Sequence, residues 1–250
     1  MCIFIALRRP NHPWPLLIAA NRDEMQDRTW LPPARHWADR PETVAGIDVL
    51  AGGSWLGLND HGVCAAILNR PDSLGPEPGK RSRGELVLEA LDHADAASAA
   101  AALAEIDVAA YRSFNLVVAD NRDAFWLRSQ APAGPGRVES FPLPAGLTVL
   151  TSHDRNDTAS PRIRRYLPRF EAAPPPDPDS EDWSAWESLL ADRRPESGEG
   201  PLADMTIVTD RGYGTCSSSL IALPGPGSRH PIWRFAAGPP HETTYEKVKF

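Results

Sequence analysis

A chain of 250 residues with 42% hydrophobic content is long enough to bury a core of its own and falls in the size range of one large domain, residues 1–250. Its formal net charge of -7 sets the surface against phosphate backbones and anionic headgroups, which excludes nucleic acid as a natural partner. Cys2, Cys64 and Cys216 are odd in number, far apart and without zinc-type spacing, so neither a disulfide framework nor a structural metal is expected, and the setting is read as reducing and cytoplasmic.

The chain opens Met-Cys-Ile-Phe-Ile-Ala-Leu and reaches Arg8-Arg9-Pro10 at once, too short an apolar run for a signal peptide. No later run approaches the length of a membrane span. Short β-rich runs at Cys2 to Leu7, Leu16 to Ala20, Ser54 to Leu58 and Val63 to Leu68 predict two hairpins, turning at residues 10–15 and at Asn59-Asp60-His61-Gly62. Between them, residues 29–48 hold several prolines without a steady period and read as a surface loop.

Two helices are predicted next. Ser82 and Glu85 stand at capping-box spacing before Leu86, and Asp95 precedes the alanine run from Ala96 to Ala104. Strands are expected at Phe114 to Ala119, Ala124 to Leu127 and Leu147 to Thr151, and helices at 161–170 and 181–191, parted by the proline loop 174–176. Further strands should lie at Met205 to Thr209, Thr215 to Leu223 and Ile232 to Ala236. Hairpins, then helices, then hairpins again predict an α+β architecture of antiparallel sheets covered by helices.

Pairing of the first hairpin carries the chemistry. If Leu7 and Leu16 flank the turn, Cys2 lies opposite Asn21 to within a residue, beside Asn21-Arg22-Asp23-Glu24. A small residue after the initiator Met permits removal of Met1, which would leave a thiol and a free α-amine on one residue. The amine titrates near ~7.7 to 8.0 and a thiol near ~8.5, so the amine can take the thiol proton at neutral pH. Thiolate attack on a carbonyl would give an acyl-enzyme. Asp23 could hold the ammonium form, Arg22 could lower the thiol pKa or bind an anion, and Asn69, where a strand leaves its sheet, could face the oxyanion.

With Cys2, Asn21-Arg22-Asp23-Glu24 and Gly53-Ser54-Trp55-Leu56-Gly57, the sequence resembles the NRDE family, also called the Transport and Golgi Organization 2 family. Ser82-Arg83-Gly84, Tyr213-Gly214-Thr215 and Ser217-Ser218-Ser219 extend the resemblance in order along the chain. It implies a relation to the N-terminal nucleophile hydrolases, in particular the cysteine branch with penicillin V acylase and bile salt hydrolase, and so a four-layer αββα sandwich. It also implies roles: Cys2 as nucleophile, Asp23 as the aspartate near the amine and Asn69 as the oxyanion asparagine, with Arg22 in second place. Asn21, Glu24, Trp55 and Ser152 are the expected substrate-binding residues.

The sequence departs from those patterns in three places. Arg22 is adjacent to Asp23, so on an extended strand the two side chains point to opposite faces. Ser152 stands where the hydrolases have an asparagine, and Cys216 stands where many relatives have an arginine, with Arg211 nearby. Two readings therefore stay open: a cysteine hydrolase or acyltransferase acting on a small apolar acyl substrate, and a non-catalytic binder of haem, lipid or acyl-CoA using the same residues.

The histidines at 12, 36, 61, 93, 153, 230 and 241 lack metal-ligand spacing, and Gly52-Gly53-Ser54-Trp55-Leu56-Gly57 lacks the residues of a phosphate loop, so no cofactor or metal is expected. Its glycines read as close packing or a bulge. Trp14, Trp30, Trp37 and Trp55 read either as the lining of an apolar cleft or as half-buried anchors.

Overall fold

A computed structural model describes residues 2–130, 136–194, 198, 200–227 and 229–250. The chain divides into two compact units, Met1–Arg28 with Pro144–Val248, and Thr29–Leu143 with Lys249–Phe250. Each unit is an antiparallel sheet with two helices packed on it, so the α+β expectation holds.

In the first unit, β1 (Ile3–Arg8), β2 (Leu16–Met25), β10 (Gly146–Leu150), β11 (Tyr213–Leu223), β12 (Ile232–Ala236) and β13 (Glu246–Lys247) form a sheet in the order β10-β1-β2-β11-β12-β13. Helices α3 (Pro161–Ala172) and α4 (Ser184–Leu190) complete it. Ile3, Ile5, Leu17, Ala19, Val149 and Leu220 from the sheet pack with Ile163, Tyr166, Phe170, Trp186 and Leu190 from the helices. Phe4, Ala6 and Ile18, on the other face, are buried too, which is why β1 and the start of β2 read as continuous apolar runs rather than alternating ones.

The β1–β2 register pairs Ile3 with Asn21 and Leu7 with Leu17. Continued by one residue, the ladder sets Cys2 across from Arg22, one position from the sequence expectation. β2 runs on through the whole Asn-Arg-Asp-Glu tetrad, because β11 pairs with it as far as Tyr213↔Met25. A bulge between Thr215 and Ser217 leaves Cys216 as the extra residue. The strand expected at Met205 to Thr209 is reduced to one bridge, Val208↔Gly214. Its Met205 carbonyl serves side chains of the site instead of a neighbouring strand.

The second unit is a meander, β3 (Trp30–Ala34), β4 (Thr43–Asp48), β5 (Leu56–Asn59), β6 (Cys64–Asn69), β7 (Phe114–Ala119), β8 (Ala124–Ser129) and β9 (Val138–Pro142), paired in chain order. Helices α1 (Gly84–Leu91) and α2 (Ala96–Ala104) pack on it through Leu86, Val87, Leu91, Ala99 and Leu103 against Ala45, Ala65, Leu116 and Val118. Residues 29–48 thus contain two strands where a loop was expected. Pro32 and Pro33 are accommodated because β3 is an edge strand with an irregularity between Leu31 and Ala34.

The capping box does not form either. Arg83 is the N-cap residue of α1 and its own side chain makes no cap; Ser82 Oγ accepts from the Gly84 N–H at 3.3 Å instead of from Glu85, and Glu85 turns to Arg81 at 2.5 Å. Asp95 does cap α2, accepting from the Ser98 N–H at 2.7 Å.

Of the glycines at 52–57, Gly53 and Gly57 act through close packing, the first of the two roles expected of them, and Gly52 does not. A Cβ on Gly53 would meet the Gly84 backbone carbon at 2.5 Å, and the Ser54 N–H donates to the Gly84 carbonyl at 3.0 Å. The Gly-Ser and Arg-Gly motifs are therefore the two sides of one backbone contact. Gly53→Ala is expected to lower stability by about 1–3 kcal/mol through overpacking, read as a drop in the denaturation midpoint, whereas Gly52→Ala adds a Cβ into open space at φ +72 and costs only its backbone strain.

Candidate active site

Sheet alternation decides which tetrad side chains meet Cys2. Ile3, Ile5, Ala19 and Leu17 face the helices, and Asn21 and Asp23 continue that face. Arg22 falls on the opposite one. The sequence reading ranked Arg22 below Asp23 because the two alternate; the Asp23 carboxylate does lie on the helix side, and its charge acts on the Cys2 thiol more strongly than that of Arg22.

Asp23 nevertheless meets Cys2 through its backbone. The Asp23 N–H donates to Cys2 Sγ at 3.4 Å, and the thiol lies 3.6 Å from the Asp23 carbonyl it donates to. Burial pushes the Cys2 thiol above its ordinary value, the Asp23 charge adds to the rise, and Arg22 pulls weakly the other way. With Met1 in place, the thiol is protonated at neutral pH, contrary to the lowered value expected of a nucleophile beside an arginine.

The Asp23 carboxylate is fully engaged on the helix side. Its Oδ2 accepts from Arg162 Nη1 at 2.6 Å and its Oδ1 from Thr215 Oγ1 at 2.6 Å. Arg162 Nη2 donates to the Met205 carbonyl at 2.5 Å, and Thr215 Oγ1 accepts from the Ile207 N–H at 2.9 Å. Arg162 is 3% exposed and Asp23 4% exposed, so this is an ion pair inside the core rather than at the surface.

Arg162 was missed in the sequence, though a signal was there. It stands in the first turn of α3, directly after Ser160 as N-cap and Pro161, at the positive end of the helix dipole where a cation is disfavoured. An apolar-faced helix that spends its first turn on arginine implies an acidic partner elsewhere.

Asn21 supports the same floor. Its Nδ2 donates to the Leu190 and Met205 carbonyls at 3.0 and 2.9 Å, and its Oδ1 accepts from Ser218 Oγ at 2.6 Å. The Met205 peptide is held from the other side as well, since its N–H donates to the Tyr166 hydroxyl at 3.0 Å, which donates to Asp192 at 2.7 Å. Burial opposes ionisation of Asp192, yet hydrogen bonds from Arg169 and Tyr166 outweigh it and hold the carboxyl down to about 2.

Ser152 is buried just past β10; continuing Phe4↔Leu150 sets it across from Cys2 on the strand opposite Arg22, and its Oγ is 3.2 Å from His153 Nδ1. Glu24 is half-buried, with its Oε1 accepting from the Met25 N–H at 2.9 Å. Cys216 Sγ contacts the Glu24 and Gly214 carbonyls at 3.5 Å, and burial raises its thiol against the pull of Arg22. Arg211 is exposed in the turn before β11; the buried cation at Asp23 comes from α3.

Asn69 and Trp55 belong to the second unit. Asn69 is the half-buried last residue of β6, paired with Phe114, and Trp55 packs edge-on against Trp30 at 5.7 Å. Trp37 donates to the Gly52 carbonyl at 3.1 Å, and Trp14 is buried in the helix-sheet core of the first unit, where it serves as an anchor. Cys64 is inert, its thiol pushed by burial to about 12. Among the described residues no helix is long and apolar enough to cross a membrane.

Comparison with known proteins gives the geometry a context. The profile of a family described as Transport and Golgi organisation 2 matches residues 1–230. The chain is 34% identical over 117 residues to the Transport and Golgi organization 2 homolog of Mus musculus and 35% identical over 120 residues to the Bos taurus protein. Each match covers 42% of this chain and 38% of the relative, so it spans well under half of the relatives' own length.

Among solved structures, the Caenorhabditis elegans ortholog of N-acylethanolamine-hydrolyzing acid amidase superposes with a TM-score of 0.62 at 11% identity, covering 99% of this chain and 100% of that one. Penicillin V acylase from Agrobacterium tumefaciens gives 0.56 at 14% identity, covering 95% and 83%. A conjugated bile acid hydrolase from Clostridium perfringens gives 0.52 at 12% identity, covering 100% and 97%. At these identities the likeness is one of fold, and the fold is that of the N-terminal nucleophile hydrolases.

Proposed function

The chain belongs to the Transport and Golgi organisation 2 family, and for this member we propose an N-terminal cysteine hydrolase or acyltransferase that acts on an amide or related acyl bond of a small apolar molecule. The observation that carries the reading is the seat of Cys2: a thiol lodged on the Asp23 peptide, with the Asp23 carboxylate locked on the helix side by Arg162. The acylase and amidase names of the structural neighbours agree with that class of bond.

The electrostatics give removal of Met1 a specific purpose. A fixed, buried carboxylate opposes a thiolate but favours an ammonium. Once Met1 is gone, the Cys2 α-amine takes the thiol proton, Asp23 stabilises the resulting ammonium, and the thiolate is free to attack a carbonyl carbon. The acyl group passes to sulfur and the amine leaves with the proton returned from the ammonium; water then releases the acid.

Incubating the processed protein with a medium-chain p-nitrophenyl ester tests the reading. Intact mass should show one acyl group added, peptide mapping should place it on Cys2, and Cys2→Ala should take up none. Processed protein that stays unacylated would sink the hydrolase reading and leave the binding alternative, in which the protonated thiol of the unprocessed chain is a packed or ligating group.

A further inference from the structure

We propose that the Tyr213 hydroxyl is a catalytic residue of this site, donating a hydrogen bond to the oxyanion that forms when Cys2 attacks an acyl carbon. The inference rests on the hydrolase reading above and adds a residue that neither the family resemblance nor the motif spacing assigns to the chemistry.

The geometry is local to the first unit. Tyr213 Oη donates to the Asp23 carbonyl at 3.4 Å, and Cys2 Sγ donates to that same carbonyl at 3.6 Å. Thiol and phenol are thus one shared acceptor apart, and a carbon bonded to Sγ carries its oxygen into the space beside both. The long 3.4 Å contact is a weak one, readily exchanged for a charged acceptor, since hydrogen bonds to an anion are roughly twice as strong as neutral ones.

The backbone at Tyr213 is fixed. Its N–H donates to Thr209 Oγ1 at 3.2 Å, and Thr209 Oγ1 donates back to its carbonyl at 2.5 Å, while the register pairs it with Met25 at the end of β2. Tyr213 is half-buried, and burial together with the nearby Asp23 and Cys2 charges drives its hydroxyl far above the ordinary tyrosine value. The group therefore keeps its proton at every working pH and acts only as a donor. In the step itself the Sγ–C bond forms, the carbonyl π pair moves to oxygen, and Tyr213 O–H hydrogen-bonds that oxygen without giving up its proton. Collapse returns the pair to carbon and expels the leaving group.

Two reagents separate this role from others. Acylation by a p-nitrophenyl ester passes through an oxyanion; alkylation by iodoacetamide does not. On processed protein, Tyr213→Phe is expected to slow Cys2 acylation by about 10²–10³-fold, the usual cost of one oxyanion donor, and to leave the Cys2 alkylation rate and the thermal midpoint near wild type. Equal acylation of wild type and variant would overturn the proposal. So would a parallel loss of acylation and alkylation, which would place the hydroxyl's effect on the thiol itself. Wild-type protein that alkylates but never acylates would instead remove the hydrolase reading, and this inference with it.

Discussion

Arg162→Met is expected to lower unfolding free energy by about 3–5 kcal/mol, the cost of leaving one member of a buried ion pair without its partner. The substitution keeps most of the side-chain volume and removes the charge that meets Asp23 Oδ2 at 2.6 Å. Thr215 still donates to Oδ1, and Asn21 still donates to the Met205 carbonyl, so backbone polar groups near the pair are not orphaned. The loss should therefore be traceable to the carboxylate alone. Adding Asp23→Asn to Arg162→Met should recover part of it, giving a coupling of about 0.5–3 kcal/mol in a double-mutant cycle followed by urea denaturation. A loss below about 1 kcal/mol in the single variant, the range of an exposed ion pair, would show that Asp23 is not held by Arg162 in solution.

The second large effect concerns Cys2 and is one of pH. In the chain that retains Met1, the thiol value lies above the ordinary one, chiefly by burial and then by Asp23. Raising a thiol pKa lowers the thiolate fraction at a given pH, so alkylation at pH 7 should run slower than for a free cysteine and rise only in the alkaline range. Removing Met1 supplies an internal base and an ammonium for Asp23, and the rate at pH 7 should increase. Iodoacetamide labelling from pH 6 to 10, with Cys2 followed separately by peptide mapping, reads both. An unprocessed chain that labels at the free-cysteine rate at pH 7 would contradict the electrostatic argument for processing. Cys64 provides an internal reference, because its burial should keep it silent throughout.

Together these results would define a division of labour on β2. Arg22 alternates with Asp23 along the strand, while Asp23 faces the helices, pinned by Arg162 and Thr215, and acts at Cys2 through its peptide and its field. The tetrad is therefore not a solvated turn but the end of a strand buried on both faces, with Arg22 5% exposed.

Much of this was legible before any coordinates. Apolar runs with clear turn residues located β1, β6, β7, β8 and β11, and the hairpin turn fixed the β1–β2 pairing to within one residue, because antiparallel register follows from loop length. Asp95 marked a helix start correctly, since a cap is a local hydrogen bond between near neighbours. The edge strands β3 and β13 and the short β9 were not legible. Proline-bearing or two-residue strands have no periodicity of their own and exist only because a neighbouring strand offers hydrogen bonds.

The sequence by itself determined that a cysteine at position 2 would meet the Asn-Arg-Asp-Glu tetrad, since both lie on one hairpin whose pairing is a matter of short-range geometry. Only the tertiary structure decided what each tetrad residue does. Asp23 is set by Arg162, 139 residues away, and by Thr215, 192 residues away; Asn21 is set by the carbonyls of Leu190 and Met205. Contacts of that separation arise from how a helix and a neighbouring strand pack on the hairpin, and no local pattern encodes the partner of a buried charge.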